Sequence, residues 1–343
     1  MADDAPLVFA PVLPHELEQE IFVTAAYIEP LAIPKFMLVA WRVKLWVEPL
    51  LYRVVMLSGS EADNALGLNA ASWYPCRSDL FIQSLGSPST LGESIHHLCL
   101  VSVDPDRIQP ILSAASNVQD LWINNLTRDH WPIVSTMPLR RLHCSLEAFT
   151  LPKIDFRHPM FSQLTHFELT FVPHFTEDVW SAGLAAIPNL THFAYNSDLE
   201  LLSLSPTLLR GCESLRALIF LAMAHMPILA RSTIDPHLKD LARDPRFVQL
   251  VCTRYVRDWQ MGALKGIDYW ARADEFISKR RSGEIDALQH LLHDRLSLSG
   301  KDVAPFLEAL ASPKNTYFPF VQTIASQAIP HQIIAGSAPL LHN

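Results

Sequence analysis

The sequence has little glycine and little cysteine, and each shortage argues against a class of protein. Its 343 residues include 11 glycines against 25 prolines, the reverse of the usual ratio. No GxGxxG, P-loop or GxSxG sequence occurs, so the common nucleotide-binding and hydrolase motifs are missing. The five cysteines are far apart and form no CxxC pair. They predict buried thiols of a reducing compartment rather than a disulfide framework or a zinc site.

A basic surplus and a long apolar run are also missing. The net charge is −8, which argues against a nucleic-acid partner because phosphates require a surplus of Lys and Arg. The most apolar stretch, from Leu215 to Ala230, contains Arg216, His225 and Pro227, whereas a membrane span needs about 20 apolar residues. The acidic start, Met-Ala-Asp-Asp, is unlike a signal peptide. We therefore expect a cytoplasmic or nuclear protein, or one found in both compartments, with no membrane and no nucleic-acid partner.

The 15 histidines require that a metal site be considered, but their spacing predicts none. HExxH does not occur, and the adjacent His96 and His97 would point to opposite faces of a strand. We expect no metal, no cofactor and no catalytic residue, so the sequence does not indicate an enzyme. The apolar fraction of 49% and the charged fraction of 18% predict a folded chain with a sizeable core.

An apolar pattern of the form LxxLxL recurs in the middle of the chain. Its copies begin at Ile95, Val118, Leu139, Leu164, Leu190, Leu215 and, more weakly, Phe247. All intervals but the last fall within the roughly 20–29 residues of a leucine-rich repeat. Helix-start sequences such as Asp104-Pro105 lie between the copies. The pattern predicts an α/β fold in which short strands and helices stack as a curved solenoid. The alternative is an ordinary α/β domain with chance leucine triplets.

The first fifty-seven residues predict a separate helical module. A helix is expected to begin at Leu13-Pro14, with Leu17, Ile21 and Ala25 on one apolar face. A second apolar segment covers residues 36–47, and residues 53–57 are rich enough in β-branched side chains to predict a first strand.

These segments resemble an F-box followed by irregular leucine-rich repeats, a combination frequent in fungal proteins. Residues 13–22 are similar to the F-box opening LPxELxxxIF, and residues 38–46 are similar to its second half, with Ala40 where the family usually has cysteine. The resemblance implies an F-box-like helical module over residues 10–57 and an irregular leucine-rich-repeat solenoid over 58–252. We expect a helical C-terminal cap over 253–300, and a partly disordered tail of unknown role over 301–343.

The resemblance implies a substrate-recognition subunit of an SCF-type cullin ubiquitin ligase. Such a subunit has no catalytic residue and acts by raising the effective concentration of a protein substrate near the ubiquitin carrier. The residues implied in adaptor binding are Leu13, Pro14, Leu17, Ile21, Phe22 and Leu38. The alternative is a non-enzymatic protein-binding scaffold whose helical module is only a cap on the solenoid. The first function needs residues 13–22 exposed, and the second needs them buried.

A surface for the protein substrate can be predicted from strand geometry. In an LxxLxL strand the leucines point into the core, and the residues between them point to the opposite, concave face. The residues expected on that face as substrate contacts are Trp122, Arg141, His143, His166, Glu168 and His192. Arg and Trp are frequent binding hot spots, and histidines would make binding sensitive to pH near 6.5. The alternative is a solvated sheet face that binds nothing.

Overall fold

The structure is a computed structural model of the whole chain. It describes residues 13–58, 76–77, 81–82, 92–124, 126–145, 155–170, 177–196, 199–223, 240–252 and 255–293. The predicted tail over residues 301–343 and the first three residues of the predicted helical module lie outside the described residues.

Three helices form the N-terminal module. Helix α1 covers His15–Ile28, a 3-10 turn covers Pro30–Ala32, and α2 (Ile33–Phe36) and α3 (Trp41–Leu51) follow. Pro14 precedes α1, and Glu16 and Glu18 lie in its first turn, where negative charge is favourable. The small core of this module consists of Ala26, Ile33, Val43 and Val47, all at most 1% exposed.

The rest of the described chain is built on one parallel sheet. Its ten strands are β1 (Val54–Ser58), β2 (Cys76–Arg77), β3 (His97–Val101), β4 (Asp120–Ile123), β5 (Arg141–Cys144), β6 (His166–Leu169), β7 (His192–Asn196), β8 (Ala217–Met223), β9 (Phe247–Cys252) and β10 (Leu291–His293). Their order is β10-β9-β8-β7-β6-β5-β4-β3-β1-β2. From β3 to β10, strands that follow each other along the chain are neighbours in the sheet, whereas β1 lies between β2 and β3.

Helices alternate with these strands. They are α4 (Pro105–Ala114), α5 (Trp131–Val134), α6 (Glu177–Ala185), α7 (Leu199–Gly211), α8 (Tyr255–Lys265) and α9 (Tyr269–Ser282), with 3-10 turns at Gly92–Ser94, Arg128–His130 and Pro159–Phe161. Helix α9 has clear end signals. The Asp268 side chain accepts a hydrogen bond from the backbone N–H of Ala271, and Gly283 follows the helix with φ of 79°, a conformation that favours glycine.

One face of the sheet carries the second apolar residue of each LxxLxL copy. The register places Leu98, Leu121, Leu142, Phe167, Phe193 and Leu218 side by side on successive strands. All of them are at most 1% exposed. They belong to one core that also contains apolar residues of α4 to α7, such as Ile111 and Leu208. This packing explains the repeating pattern, because each strand and helix bury their apolar sides against their neighbours.

The other face of the sheet is covered by α8 and α9. Trp259 and Ala263 of α8 pack with Met56 and Trp122 of the sheet. Across the other half of the sheet, Tyr269, Trp270, Ala273, Phe276 and Ile277 of α9 pack with residues of β8 and β9, including Ile219 and Val248. The sheet is thus buried on both faces, as parallel sheets in α/β proteins usually are.

The predicted curved leucine-rich-repeat solenoid preceded by an F-box-like module is therefore wrong as a fold. The face of the sheet that would be open and concave in a solenoid is covered by α8 and α9. The described chain is instead an α/β fold in which one continuous parallel sheet alternates with helices. These helices also do not close the end of a solenoid as the expected C-terminal cap would. The segment after them, β10, pairs with β9 and extends the sheet.

Within the described residues, no helix combines the length and the apolar character that crossing a lipid bilayer requires.

Candidate functional site: an exposed apolar stripe on the first helix

One side of α1 presents large apolar side chains to solvent. Leu13, Leu17, Ile21 and Ile28 are 45%, 48%, 53% and 63% exposed. They are separated by four, four and seven residues, and therefore share one face of the helix. They border a shallow surface depression of about 490 Å³. We call these four residues the α1 stripe.

The α1 stripe lies at the protein surface because the opposite side of the helix packs against the rest of the module. Ala26 is buried, and Phe22 is half-buried and meets Phe36 edge-on, with ring centroids 6.0 Å apart. Arg42 of α3 donates two hydrogen bonds to the Glu18 carboxylate, at 2.9 and 2.7 Å. These hydrogen bonds lower the pKa of Glu18. Desolvation of the carboxylate acts in the opposite direction but is the smaller effect. The rotation of α1 about its axis is therefore determined by contacts that leave the stripe at the protein surface.

Exposed apolar side chains are concentrated in this module. In the described part of the chain, the exposed large apolar residues of the module are Leu13, Leu17, Ile21, Tyr27, Ile28, Leu31, Leu38, Val39, Trp41 and Leu45, and those elsewhere are Ile267 and Leu288. Single exposed apolar residues are normal on protein surfaces, but a concentration of them in one element is typical of an interaction surface.

The residues implied in adaptor binding fall into two groups. Leu13, Pro14, Leu17, Ile21 and Leu38 are exposed, and Leu38 is 86% exposed. Phe22 differs, because its half-buried ring packs on Phe36 inside the module. It supports the module from within, whereas the other five are available for contact.

The residues predicted as substrate contacts lie beneath α8 and α9. Trp122, His143, Glu168 and His192 are 4%, 2%, 0% and 5% exposed, and Arg141 and His166 are half-buried. The strand geometry did place them on one face in neighbouring rows. The expectation that this face is open is wrong, because the two C-terminal helices cover it.

A chain of hydrogen bonds fills this covered face. His143 Nδ1 lies 2.7 Å from Glu168 Oε2, and its Nε2 lies 3.4 Å from Asp120 Oδ1. The Trp259 indole N–H of α8 donates to Asp120 at 3.1 Å, and the Tyr269 hydroxyl of α9 donates to Glu168 at 2.5 Å. The two carboxylates thus connect the sheet to both covering helices.

The electrostatics of this cluster favour a charged imidazole. Burial opposes the charge, but the hydrogen bonds with Asp120 and Glu168 outweigh it and raise the pKa of His143 to about 9. Burial likewise opposes the Asp120 carboxylate, yet hydrogen bonds with His143 and His97 hold the pKa of Asp120 far below its usual range. His143 is therefore an imidazolium between two carboxylates at neutral pH.

Two further histidines stack in the same layer. The rings of His166 and His192 are parallel at 4.2 Å, and Trp270 meets them edge-on at 5.1 and 5.9 Å. Burial, with the neighbouring His192 and Arg141, lowers the pKa of His166 to about 2, so this ring is neutral. His192 contacts Asp274 of α9 at 3.0 Å, and this contact adds another link between sheet and helix.

The covered face is suited to holding helices rather than to chemistry. A histidine between two carboxylates resembles acid–base machinery, but His143, Asp120 and Glu168 are all at most 2% exposed, so a substrate does not reach them in this conformation. Among the residues that the structure describes, no group of three or more His, Cys, Asp or Glu side chains could hold a metal ion.

Sequence reasoning missed the residues of α8 and α9 that complete this layer. These residues lie in the segment 253–300, which we expected to form a helical C-terminal cap. The available signal was that Trp259, Tyr269 and Trp270 are too large and apolar for a solvated cap, and that Asp268 precedes a helix. Asp268 both begins α9 and accepts a hydrogen bond from Arg141 of β5 at 2.6 Å.

No protein-family model matches this chain, and no curated protein sequence matches it either.

Proposed function

We propose that this chain is a non-enzymatic interaction subunit whose N-terminal helices dock an adaptor of an SCF-type ubiquitin ligase. The observation that carries the proposal is the exposure of the α1 stripe, 45–63% for its four side chains. The proposal also uses the resemblance of residues 13–22 to an F-box opening. Five of the six residues that this resemblance implies in adaptor binding are accessible.

Energetics favour a partner for the stripe. Moving a Leu or Ile side chain from water into an interface gains about 1.5–3 kcal/mol if its burial is complete. The stripe residues are about half-exposed, so each has roughly half of that gain left to realise. A module that served only as a cap would instead turn its apolar face towards the body of the protein. Exposure of the α1 stripe therefore supports docking over the cap alternative.

The proposal assigns no surface to the protein substrate. The face predicted for it is covered by α8 and α9. An adaptor-bound subunit of this kind would act by bringing its cargo close to the ligase, which requires no catalytic residue.

The test uses the full-length chain, a purified adaptor subunit and titration calorimetry. Leu17→Asp places a charge in the middle of the stripe, and we expect it to weaken binding by about 30-fold or more, since central interface residues contribute about 2 kcal/mol or more. Leu288→Asp is the matched control, because Leu288 is similarly exposed at 57% but lies outside the module. We expect this control to bind like the wild type.

Two results would contradict the proposal. One is a folded wild-type chain that does not bind the adaptor, which would leave the alternative of a scaffold with a capping module. The other is an equal loss of binding in the two variants, because the contact would then not involve the α1 stripe.

A further inference from the structure

A second cavity, of about 300 Å³, lies where the N-terminal helices meet the amino-terminal ends of β1 and β3. Its walls include Tyr27 of α1, Arg53 before β1, and Glu93, His96 and Asn117 from the segments before β3 and β4. The cavity does not include any residue of the α1 stripe. Its volume is at the lower end of the range of small-ligand sites, about 300–1,000 Å³.

Arg53 is the main charged group in this cavity and has few partners. Its guanidinium lies over the Tyr27 ring, 4.9 Å from the centroid, and Nη2 donates one long hydrogen bond of 3.5 Å to the carbonyl of Leu264. Within the described residues, no carboxylate forms an ion pair with Arg53. Burial lowers the pKa of Arg53, although a guanidinium stays protonated in proteins.

Arg53 is half-buried, and its guanidinium is partly withdrawn from water without a carboxylate partner among the described residues. A guanidinium carries five N–H donors in a planar fork that matches a carboxylate. Arg53 uses one of these donors in a weak bond, so the others are left for a group that enters the cavity.

His96 adds a neutral donor to the same wall. Its Nδ1 lies 3.3 Å from the side-chain nitrogen of Gln119, which can only donate, so the ring proton is on Nε2. Burial, with the neighbouring His97 and Arg53, lowers the pKa of His96, and the ring is therefore neutral. Asn117 donates to the backbone carbonyl of Glu93 at 2.7 Å, so the position of its amide is fixed.

We propose that this cavity binds a carboxylate, carried by a small organic acid or by a peptide C-terminus, with Arg53 as its charge partner. One cation and one neutral donor match a single negative charge. Glu93 also lines the cavity, and its negative charge repels a doubly charged phosphate more strongly than a singly charged carboxylate. The site is separate from the α1 stripe, because none of the four stripe residues lines the cavity.

The test titrates small probes into the full-length protein and follows the imidazole signals of histidine-labelled chains by NMR. The probes are N-acetylglycine, propionate, N-acetylglycinamide and inorganic phosphate, and the His96 signal is assigned by its loss in His96→Gln. We expect saturable shifts of that signal with both acids and none with the neutral amide. Binding of both acids would show that the carboxylate is sufficient, and binding of N-acetylglycine without propionate would show that the neighbouring peptide group is required, as in a peptide C-terminus.

Arg53→Gln should weaken the binding of the acids by at least about tenfold, as expected for a lost charge-assisted hydrogen bond. Arg210→Gln is the matched control, because it removes the same charge from an exposed helix position and should leave binding unchanged. Equal shifts with acid and amide, stronger binding of phosphate, or the absence of any saturable shift would each overturn the proposal. The comparison of the acids with the neutral amide uses the wild-type protein, so it tests the proposal even if Arg53→Gln does not fold.

Discussion

Replacing His143 by glutamine tests the charge cluster that joins the sheet to α8 and α9. In the native protein its imidazolium lies between Glu168 and Asp120, at 2.7 and 3.4 Å. Glutamine has a similar size but no charge. The substitution therefore leaves two buried carboxylates without the cation between them.

The size of the effect follows from the pKa of His143. A rise from 6.5 to about 9 corresponds to about 3 kcal/mol of stability, at about 1.4 kcal/mol per pH unit. The removal of one partner from a buried ion pair usually costs about 3–5 kcal/mol. We expect His143→Gln to lower the free energy of unfolding at pH 6 by about 3 kcal/mol.

The pH dependence has a definite sign. The pKa of His143 is higher in the folded state than in the unfolded state, so its stabilising effect is complete below pH 6.5 and is lost as the pH rises through about 9. Because the folded state binds the extra proton, the difference between wild type and His143→Gln should shrink as the pH rises from 6.5 to 9.5. Urea denaturation at several pH values, followed by tryptophan fluorescence, measures this difference.

The matched control is His290→Gln, since His290 is only half-buried and has no carboxylate partner among the described residues. Its effect should be within about 0.5 kcal/mol at every pH, as for most surface substitutions. A cost below about 1 kcal/mol for His143→Gln, or a cost that does not change between pH 6.5 and 9.5, would refute the charged bridge.

Three further outcomes are expected. Since the pKa of folded His166 is lowered to about 2, wild-type stability should lose about 1.4 kcal/mol per unit below pH 6.5 through this residue. His166→Phe should lack this contribution in denaturation experiments between pH 6.5 and 4.5, and equal slopes in the two proteins would exclude it. Gly262→Ala should lower the melting temperature, because its Cβ would lie 2.6 Å from Asp268 and overpacking costs about 1–3 kcal/mol; an unchanged melting temperature would show that α8 and α9 can move apart. Leu17→Asp should leave the melting temperature nearly unchanged. Val47→Asp places a charge at a position that is 0% exposed, so it should prevent folding or strongly lower the melting temperature. Similar melting temperatures of the two variants would contradict the orientation of the N-terminal helices.

The candidate docking site was predictable in part. The spacing of Leu13, Leu17 and Ile21 indicates an apolar helix face, and such a face usually packs against the protein's own core. Whether it does depends on which side of α1 meets α2 and α3. The Glu18–Arg42 ion pair and the Phe22–Phe36 contact determine that side, and neither pairing can be derived from helical periodicity.

The cavity around Arg53 was not predictable. Arg53, His96 and Asn117 are far apart in the chain and carry no motif. They meet because β1, β3 and β4 are neighbours in the sheet, so the residues just before these strands share one end of it.

The sequence by itself determined the strands from β3 to β9, the first strand β1, and their alternation with helices, but not β2 and β10. The copies beginning at Ile95 and Val118 contain β3 and β4, because strand and helix periodicity are properties of neighbouring residues. The α/β class follows from this alternation, and the alternative of an ordinary α/β domain describes the fold better than a solenoid.

Only the tertiary structure decided what lies on the second face of the sheet. Glu168 and Tyr269 are 101 residues apart in the chain and form one hydrogen bond. Their side chains would suit an open, ligand-binding face as well as a covered one. The choice between the two depends on contacts between distant segments, whose free energy appears only when α8 and α9 bury Trp259 and Trp270 against the sheet.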